Sequence, residues 1–207
     1  MNREEIPDIV VARLPSYLRT IQYLENNGIQ TTSSKELSQK IGFSSAQIRK
    51  DLSHFGEFGK QGTGYNVHFL IEQLQAILNI EQTWDIAIIG AGDIGHAFSH
   101  YQGFKNRSFR VEMIFDNDPE KIGKETGDLV VQDSTCMVEM IQSAGIKIAI
   151  LSVPESAAQS VADELVKAEI RAILCFAPVL LKLPADIHVE YIDTILNLQH
   201  MTYYLKY

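Results

Sequence analysis

The stretch WDIAIIGAGDIGHAF at residues 84–98 decides the fold of the larger part of the chain. It opens with Trp84–Ile89, a short apolar run typical of a strand buried in a parallel sheet. The glycines of GAGDIG follow at once, and the pattern after them is helical through Tyr101. A second apolar run at 109–115 ends at Asp116, about twenty residues beyond the glycines. This order is the fingerprint of a dinucleotide-binding site: a strand, a G-x-G-x-x-G turn, a helix, and an acidic residue at the tip of the next strand.

The residue types of this turn match what a dinucleotide requires. Gly90 permits the tight turn, Gly92 lets the backbone approach a pyrophosphate, and Gly95 lets the helix pack closely on the strand. The helix N-terminus then faces the negative charge. Asp116 can accept hydrogen bonds from an adenosine ribose and would repel a 2′-phosphate, so NAD(H) is favoured over NADP(H). The candidate cofactor residues of the turn are Gly90, Ala91, Gly92, Asp93, Ile94 and Gly95.

Further strands and helices continue the alternation in the last third of the chain. Apolar runs predict strands at 146–153, 172–176 and 189–192, and the spacing of apolar residues predicts a helix at 156–168. Strands that alternate with helices indicate a doubly wound parallel sheet of the Rossmann type.

Two loops follow predicted strands at their carboxyl ends, where ligands enter such sheets. They are Ser152-Val153-Pro154 and Phe176-Ala177-Pro178, and neither offers a group for proton transfer. A dehydrogenase needs such a group beside its nicotinamide and usually a second domain for its substrate. We expect His96 and His100, on the helix after the glycines, to have surface or packing roles. The segment therefore favours a binding protein over an enzyme.

The first 80 residues show a different pattern. Apolar residues at helical spacing predict a helix over 6–24, and Asn27-Gly28 is typical of a helix end. Thr32-Ser33-Ser34 offers N-caps for a short helix that stops at Gly42, and Ser44 caps a third helix that stops at Gly56. Two short helices joined by a glycine-containing turn are typical of a helix-turn-helix.

The third helix is the candidate recognition element for a DNA major groove. With Ile48 and Leu52 on its buried side, its polar residues fall on or beside the opposite face. The stretch 58–65 predicts a β-hairpin, or wing, that could place a lysine against the DNA backbone or minor groove, and 67–80 predicts a further helix. The candidate DNA-binding residues are Ser44, Ser45, Gln47, Arg49, Lys50, Lys60, Gln61 and Tyr65. The pattern alone also fits a small domain that never touches DNA.

Composition and charge allow this interpretation. The net charge is −8, but residues 1–80 hold eight Lys/Arg and eight Asp/Glu, so all excess negative charge lies after residue 80. No apolar run is long enough to cross a bilayer, and the start MNREEIPDIV is unlike a secretory signal, so we expect a cytoplasmic protein. Cys136 and Cys175 are too few for a structural zinc site, and we expect both to be buried thiols and no metal to be bound.

Seven short motifs in order resemble the Rex family of redox-sensing transcriptional repressors. They are SSKEL at 33–37, RKDLSHFGEFGK at 49–60, GTGY at 62–65, IIGAGDIG at 88–95, FDNDPEKIG at 115–123, SVP at 152–154 and FAP at 176–178. The resemblance implies a homodimer with an N-terminal winged-helix domain at 1–80, a Rossmann NAD(H)-binding domain at 81–193 and a C-terminal helix at 194–207 that is swapped with the partner subunit.

The resemblance also implies residue roles. Arg49 and Lys50 match positions that contact operator DNA, and Tyr101 matches a tyrosine close to the cofactor. Arg19 and Asp193 match a pair that links the N-terminal domain to the partner subunit in the DNA-releasing state. The cofactor-binding set also takes in Asn117 and Lys121 of the FDNDPEKIG motif.

Three positions depart from the family pattern. Gln61 stands at the wing tip where arginine is common, so the minor-groove contact would pass to Lys60. Cys175 stands where asparagine is usual, and Thr194 replaces a larger apolar residue near the pocket. Both of the latter would alter the affinity for the nicotinamide.

The sequence thus predicts a repressor that binds operator DNA and is released when NADH binds, with NAD and NADH as its cofactors. One alternative is a small NAD-dependent oxidoreductase, which would need a His or Lys in the two ligand loops. Another is a winged-helix regulator that senses a different nucleotide, such as a coenzyme A derivative. A purely structural module conflicts with the arrangement of Gly90 to Asp116.

Overall fold

The computed structural model describes residues 6–60, 64–104 and 107–205, with Lys60 described by its backbone only. The chain divides into two compact units, Met1–Gln82 and Thr83–Tyr207. Each unit buries its own apolar cluster, so each has the core of an independent domain.

The first unit contains five helices and three short strands in its described part. In chain order these are α1 (Asp8–Val11), α2 (Leu14–Asn26), β1 (Thr31–Thr32), α3 (Ser34–Ile41), α4 (Ser45–Ser53), β2 (Gly59–Lys60), β3 (Gly64–Asn66) and α5 (Val67–Ile77). The strands form one antiparallel sheet in the order β1-β3-β2. This arrangement is a winged helix in which α3 and α4 are the helix-turn-helix and β2 and β3 are the wing.

The helix boundaries follow from local chemistry. Ser33, one of the predicted N-caps, forms a capping box with Glu36 at the start of α3. The helix ends at Gly42, as predicted, and this glycine has a left-handed conformation. The predicted single helix over 6–24 is wrong, because the chain forms two helices there. Pro15 lies at the start of α2 and has no N–H to continue the hydrogen bonding of α1, which is why the two helices are separate. The third helix ends at Ser53 rather than at Gly56.

The second unit contains one sheet with helices around it. Its elements are β4 (Trp84–Ile89), α6 (Asp93–Ser99), β5 (Phe109–Asp116), β6 (Glu125–Thr126), β7 (Leu129–Asp133), α7 (Met137–Ala144), β8 (Ile148–Leu151), α8 (Glu155–Lys167), β9 (Ala172–Cys175), β10 (His188–Tyr191) and α9 (Thr194–Thr202). A short 3-10 helix, Ser134–Cys136, leads into α7.

The strand order is β10-β9-β8-β4-β5-β7-β6, and every neighbouring pair is parallel except β6 with β7. The chain runs outward from β4 to β5 and β7, then returns to the other side of β4 at β8, so the strand order reverses beside β4. In a doubly wound sheet, ligands bind at the carboxyl ends of the strands at such a reversal. The sequence did not predict β6, β7 or α7, and it predicted the other strands within two residues at most of their ends.

Close contact between two glycines fixes how α6 leaves the sheet. A Cβ on Gly95 would lie 1.9 Å from the carbonyl oxygen of Gly90, which no side chain tolerates. Gly90 has φ +101°, and a Cβ there would lie 2.4 Å from the carbonyl oxygen of Ser152. Both positions therefore require glycine, as the sequence predicted for the turn and for helix packing.

The two thiols differ in exposure. Cys175 is buried at the end of β9, as expected, but Cys136 is exposed in the 3-10 helix, so the expectation that both are buried is wrong. The reason is local: Cys136 precedes Met137, whose side chain is the one that packs into the core. Within the described ranges no helix has the length and apolarity needed to cross a membrane.

We predict that Gly95→Ala destabilises the second unit while Gly92→Ala does not. The new Cβ at residue 95 meets backbone at 1.9 Å, whereas a Cβ at residue 92 meets nothing within 4 Å. The expected loss of unfolding free energy is about 3 kcal/mol or more for Gly95→Ala and within about 0.5 kcal/mol for Gly92→Ala. Urea denaturation followed by Trp84 fluorescence measures both, and equal stabilities would contradict the packing argument.

Candidate functional sites

Helix α4 presents the exposed face of the helix-turn-helix. The Ser44 hydroxyl accepts a hydrogen bond from the Gln47 N–H at 3.1 Å and caps the helix. Arg49 and Lys50 are exposed, as predicted, whereas Ser45 and Gln47 are half-buried and lie at the borders of the exposed face. The Arg49 guanidinium donates from Nη1 to the Ser34 hydroxyl at 2.9 Å, so α3 orients this side chain.

A buried carboxylate that the sequence analysis missed holds α4 in place. The Asp51 side chain has no exposed surface, and Arg13 binds it through Nε at 2.7 Å and Nη2 at 2.8 Å. It also accepts hydrogen bonds from the Tyr17 hydroxyl and from Gln47 Nε2, each at 2.6 Å. One signal was available: Asp51 precedes Leu52 and follows Ile48 by three residues, which places it on the apolar side of the helix.

Burial and hydrogen bonding act in opposite directions on this carboxylate. Burial alone would raise the pKa of Asp51, but the hydrogen bonds from Arg13, Tyr17 and Gln47 outweigh it and hold the pKa below its ordinary value. The same surroundings raise the pKa of Tyr17, first through burial and then through its hydrogen bond to the carboxylate. Asp51 is therefore ionised, and Tyr17 keeps its proton, at neutral pH.

The wing is described except at its tip. β2 and β3 pair antiparallel, with Gly59 opposite Tyr65 and Lys60 opposite Gly64. Tyr65 is half-buried, and burial raises its pKa although Arg49 acts in the opposite direction. The predicted contact residue Gln61 lies outside the described residues.

The glycine turn between β4 and α6 is tied to β5 at its start and is open at Gly92. The Gly90 N–H donates to the Phe115 carbonyl at 2.8 Å, which ties the turn to β5. Gly92 precedes α6, and the space that its Cβ would take is open. Asp93 and Ile94 are exposed in the first turn of the helix, and Ala91 is half-buried.

Asp116 connects this turn to the tip of β5. Its Oδ2 accepts hydrogen bonds from the Ala91 N–H at 2.7 Å and from Lys121 Nζ at 3.0 Å, and its Oδ1 accepts from the Asp118 N–H at 2.9 Å. Burial alone would raise the pKa of Asp116, but these three donors hold it below its ordinary value. Asn117 beside it is exposed. The structure thus brings the glycine turn and Asp116 together, as the fingerprint predicts, and places Lys121 beside Asp116.

The two apolar loops lie at the same edge of the sheet as the glycine turn, because β9, β8 and β4 are parallel neighbours. The Ser152 hydroxyl reaches the carbonyls of Ile89 and Gly90 at 3.1 and 3.0 Å, so it is committed to the turn. Phe176 packs against Phe98 with ring centroids 5.3 Å apart. The other residues of the two loops differ in exposure: Ala177 is buried, Val153 is half-buried, and Pro154 and Pro178 are exposed.

Tyr101 follows α6 and is half exposed, and its ring lies edge-on to Phe104 at 5.2 Å. Cys175 ends β9 beside the FAP loop, where its Sγ lies 3.6 Å from the Ala177 carbonyl oxygen. Burial raises the pKa of the Cys175 thiol, so it stays protonated and unreactive at neutral pH.

Among the remaining predicted residues, the two histidines and Asp193 have structural contacts. His96 Nδ1 lies 2.8 Å from the Thr126 hydroxyl and His100 Nε2 accepts from the Gly127 N–H at 3.0 Å, so both histidines pack α6 against the β6–β7 turn. Arg19 is exposed on α2. Asp193 caps α9 by accepting from the Ile195 N–H at 2.9 Å. No group of three or more potential metal ligands occurs in the part of the chain that the structure describes.

The two units together define a class of protein in which a winged-helix domain and a dinucleotide-binding domain share one chain. Residues 5–53 match the family model "Putative DNA-binding protein N-terminus", and residues 81–179 match the model "CoA binding domain". A redox-sensing transcriptional repressor Rex from Chloroflexus aurantiacus is 47% identical over 99% of this chain and 97% of its own length. One from Brevibacillus brevis is 43% identical over 98% of each chain. The chain belongs to the Rex family.

Solved structures agree in fold over nearly the whole chain. A crystal structure of RSP in complex with β-NAD⁺ and operator DNA has a TM-score of 0.91 and 39% identity, covering 96% of this chain and 91% of that one. A structure of RSP in complex with β-NADH has a TM-score of 0.88 and 37% identity, covering 96% and 93%. These matches confirm the predicted family and the predicted fold of a winged-helix domain followed by a Rossmann sheet.

We predict that Tyr17→Phe shifts acid unfolding of the first unit to higher pH. A carboxylate whose pKa is lowered by folding stabilises the fold above its unfolded pKa of about 3.9, and this stabilisation is lost as pH falls through the lower folded value. Removing one of the hydrogen bonds to Asp51 raises the pKa of the folded state, so less stabilisation is available and its loss is complete at a higher pH. Urea denaturation by circular dichroism between about pH 2.5 and 6 measures it.

Tyr23→Phe is the matched control, because Tyr23 lies on the same helix but is 57% exposed. Its acid unfolding should follow that of the unchanged protein. Identical profiles for Tyr17→Phe and Tyr23→Phe would show that the buried hydrogen bond does not govern acid stability.

Proposed function

We propose that this protein is a redox-sensing transcriptional repressor that binds operator DNA as a homodimer and is released when NADH binds. The observation that carries the proposal is the presence, in one chain, of an exposed basic helix in a helix-turn-helix and of a glycine turn closed by Asp116. Its Rex relatives match along almost the whole length, and RSP has been crystallised with NAD⁺ and operator DNA. We also propose that the protein is cytoplasmic, because its operator DNA lies in the cytoplasm.

The residues of the turn fit a dinucleotide. Gly92 leaves open the space that a pyrophosphate needs, and the N-terminus of α6 supplies backbone N–H groups beside it. Three donors occupy part of the acceptor capacity of Asp116, and a carboxylate has about four acceptor positions. One position therefore remains for a ribose hydroxyl, and Lys121 can donate to the same ribose. Asn117, exposed at the same tip, completes the proposed set.

The family model for the second unit raises the alternative of a coenzyme A derivative. Such a ligand carries a phosphate on its adenosine ribose, and the ionised Asp116 would repel that phosphate. NAD(H) has free ribose hydroxyls there, which a carboxylate can accept. We therefore assign NAD and NADH as the ligands, and competition binding with coenzyme A separates the two.

The nicotinamide of a bound cofactor supplies a difference in charge, since the oxidised ring is cationic and the reduced ring is neutral. The SVP and FAP loops present mostly apolar groups, so they disfavour a cation by desolvation and favour the reduced form. The Ser152 hydroxyl is already committed to the turn, and neither loop contains a His or Lys that could transfer a proton. This arrangement senses the redox state without catalysis, and it disfavours the oxidoreductase alternative.

The C-terminal helix supports the homodimer. None of the residues of α9 is buried, and apolar side chains remain exposed along it and just beyond: Ile195, Leu196, Leu198, Met201, Tyr203, Tyr204 and Leu205. A patch of this kind marks an interaction surface. We propose that 194–207 is the segment exchanged between subunits, with 1–80 and 81–193 as the DNA-binding and NAD(H)-binding domains.

We propose that Arg19 and Asp193 form the link between the N-terminal domain and the partner subunit in the released state, with Tyr101 responding to the redox form of the cofactor. The exposure of Arg19 and Tyr101 supports these roles, because each side chain is accessible to a partner. Closing of the dimer would move the two α4 helices away from the spacing of one DNA turn, and the operator would be released.

We predict that NADH releases the protein from a palindromic operator at concentrations where NAD⁺ does not. A ligand shifts the equilibrium between the DNA-bound and released states only by its different affinity for the two. A shift from almost all bound to almost all released needs a difference in affinity of about 10⁴-fold. A gel-shift titration with both nucleotides on selected DNA measures the effect. Equal release by NADH and NAD⁺ would refute the redox-sensing function.

We predict that Arg49→Ala and Asp116→Ala separate the two activities. Arg49→Ala should weaken operator binding by at least about tenfold and leave NADH affinity unchanged. Asp116→Ala should weaken NADH binding and leave operator binding intact, because the ribose acceptor is lost. Gel shifts and NADH titration by calorimetry measure both.

Two substitutions far from the proposed sites are the controls. Arg171→Ala removes an exposed arginine paired with Asp186, and Asp85→Ala removes an acid at the start of β4. Both variants should bind DNA and NADH normally. Normal release of Asp116→Ala by NADH would contradict the ribose assignment.

A further inference from the structure

We propose that Asp51 fixes the orientation of the Gln47 amide, so that Gln47 reads an exocyclic amino group of a base, adenine N6 or cytosine N4, through its oxygen Oε1. The inference deepens the proposed function, since it rests on α4 lying in the DNA major groove. It makes Gln47 a specificity-determining residue and Asp51 a positioning residue that never touches DNA.

The first step is the saturation of Asp51 by donors. Its Oδ1 accepts from Arg13 Nη2 and from Gln47 Nε2, and its Oδ2 accepts from Arg13 Nε and from the Tyr17 hydroxyl. Its side chain has no exposed surface, so all four hydrogen bonds are made inside the domain. A carboxylate held by an arginine through two hydrogen bonds is ionised and can only accept.

The second step follows for the Gln47 amide. Its Nε2 donates to Asp51 Oδ1 at 2.6 Å. Turning the amide by half a rotation would put Oε1 against Oδ1, and two acceptors at that distance repel each other. The chemistry of Asp51 therefore fixes which end of the amide is nitrogen and which is oxygen.

The third step concerns the oxygen of the Gln47 amide, which Asp51 does not contact. No donor among the residues that the structure describes contacts Gln47 Oε1, and Gln47 lies at the border between the buried side of α4 and the exposed face that carries Arg49 and Lys50. The nitrogen is drawn toward the buried side by Asp51. The group turned away from Asp51 is thus the acceptor Oε1, and the second hydrogen of Nε2 lies beside it.

The fourth step converts the acceptor into a preference among bases. In the major groove, adenine presents the N6 amino group and cytosine the N4 amino group, whereas guanine N7 and O6 and thymine O4 are all acceptors. An unconstrained glutamine pairs with adenine through two hydrogen bonds, to N6 and N7. Gln47 keeps its oxygen turned toward the base, with the second hydrogen of Nε2 beside it, so it accepts adenine or cytosine and disfavours guanine or thymine, whose O6 or O4 would face that oxygen.

The base pair that Gln47 contacts can be located with full-length protein. Each pair of the selected operator is substituted in turn, and binding of the unchanged protein and of Gln47→Met is compared. Methionine has a similar length and no amide, so discrimination should vanish at one base pair in each half-site and persist elsewhere. Gln73→Met on α5 is the matched control and should leave the whole profile unchanged.

Modified bases then test which group is read. If the contacted base is adenine, replacing it by purine, which lacks N6, should weaken binding roughly tenfold, the effect of one well-formed hydrogen bond. Replacement by 7-deazaadenine, which lacks N7, should weaken binding less than purine does, because only the second hydrogen of Nε2 can reach N7. If the base is cytosine, 2-pyrimidinone, which lacks N4, takes the place of purine. Gln47→Met should be indifferent to all of these changes.

Asp51→Asn tests the positioning role. An asparagine at residue 51 can donate to Oε1, which permits the amide to turn, so discrimination at the contacted pair should be lost while other base preferences persist. Circular dichroism reports whether this variant folds. If it does not, the modified-base experiment decides the proposal with the intact protein.

The outcomes separate this inference from the function on which it rests. Failure of the unchanged protein to bind any operator would reject the proposed function itself. Operator binding with NADH release, but no base pair that depends on Gln47, would overturn only the present inference. A preference for guanine or thymine at the contacted position, or equal loss with purine and 7-deazaadenine, would overturn it as well.

Discussion

The second unit depends on the approach of Gly95 to the carbonyl oxygen of Gly90, a contact so close that no Cβ fits between them. It sets α6 directly against the end of β4 and brings the turn within hydrogen-bonding distance of β5 and of the Ser152 loop. Asp116 can then hold the Ala91 N–H, and the open space at Gly92 faces the same edge. A larger side chain at either glycine would move the helix and separate these groups together.

Two buried carboxylates perform parallel tasks in the two units. Asp116 ties the glycine turn to the tip of a strand, and Asp51 ties the exposed helix α4 to the helices before it. Each is ionised because several donors outweigh the cost of burial. The donors have different origins, since Asp116 is held partly by backbone N–H groups whereas Asp51 is held entirely by side chains. Substitutions of Arg13 or Tyr17 therefore affect the position of α4, while side-chain substitutions have less effect on the turn at Asp116.

Local patterns predicted what local chemistry determines. The helix cap within residues 32–34, the strand before Gly90 and the acid at the end of β5 are each encoded within a few residues, and the structure has them where they were expected. The break in the helix before Pro15 could also have been predicted, but the continuous apolar spacing over residues 6–24 concealed it. The Arg13–Asp51 pair could not be predicted from the sequence, because 38 residues separate its two members and only packing brings them together. β6 and β1 are two-residue strands that exist only through their pairing with a neighbour, which no periodicity reveals.

The apolar surface of α9 affects how repression depends on the concentration of the protein. Under the proposed exchange of this helix, a newly made chain carries a hydrophobic face that a second copy covers. Below the dissociation constant of the dimer, the competent species then forms in proportion to the square of the chain concentration. Occupancy of an operator then falls more steeply than abundance as the protein is diluted by growth. The cell would thus set the threshold of repression by synthesis rate as well as by the balance of its hydride carriers.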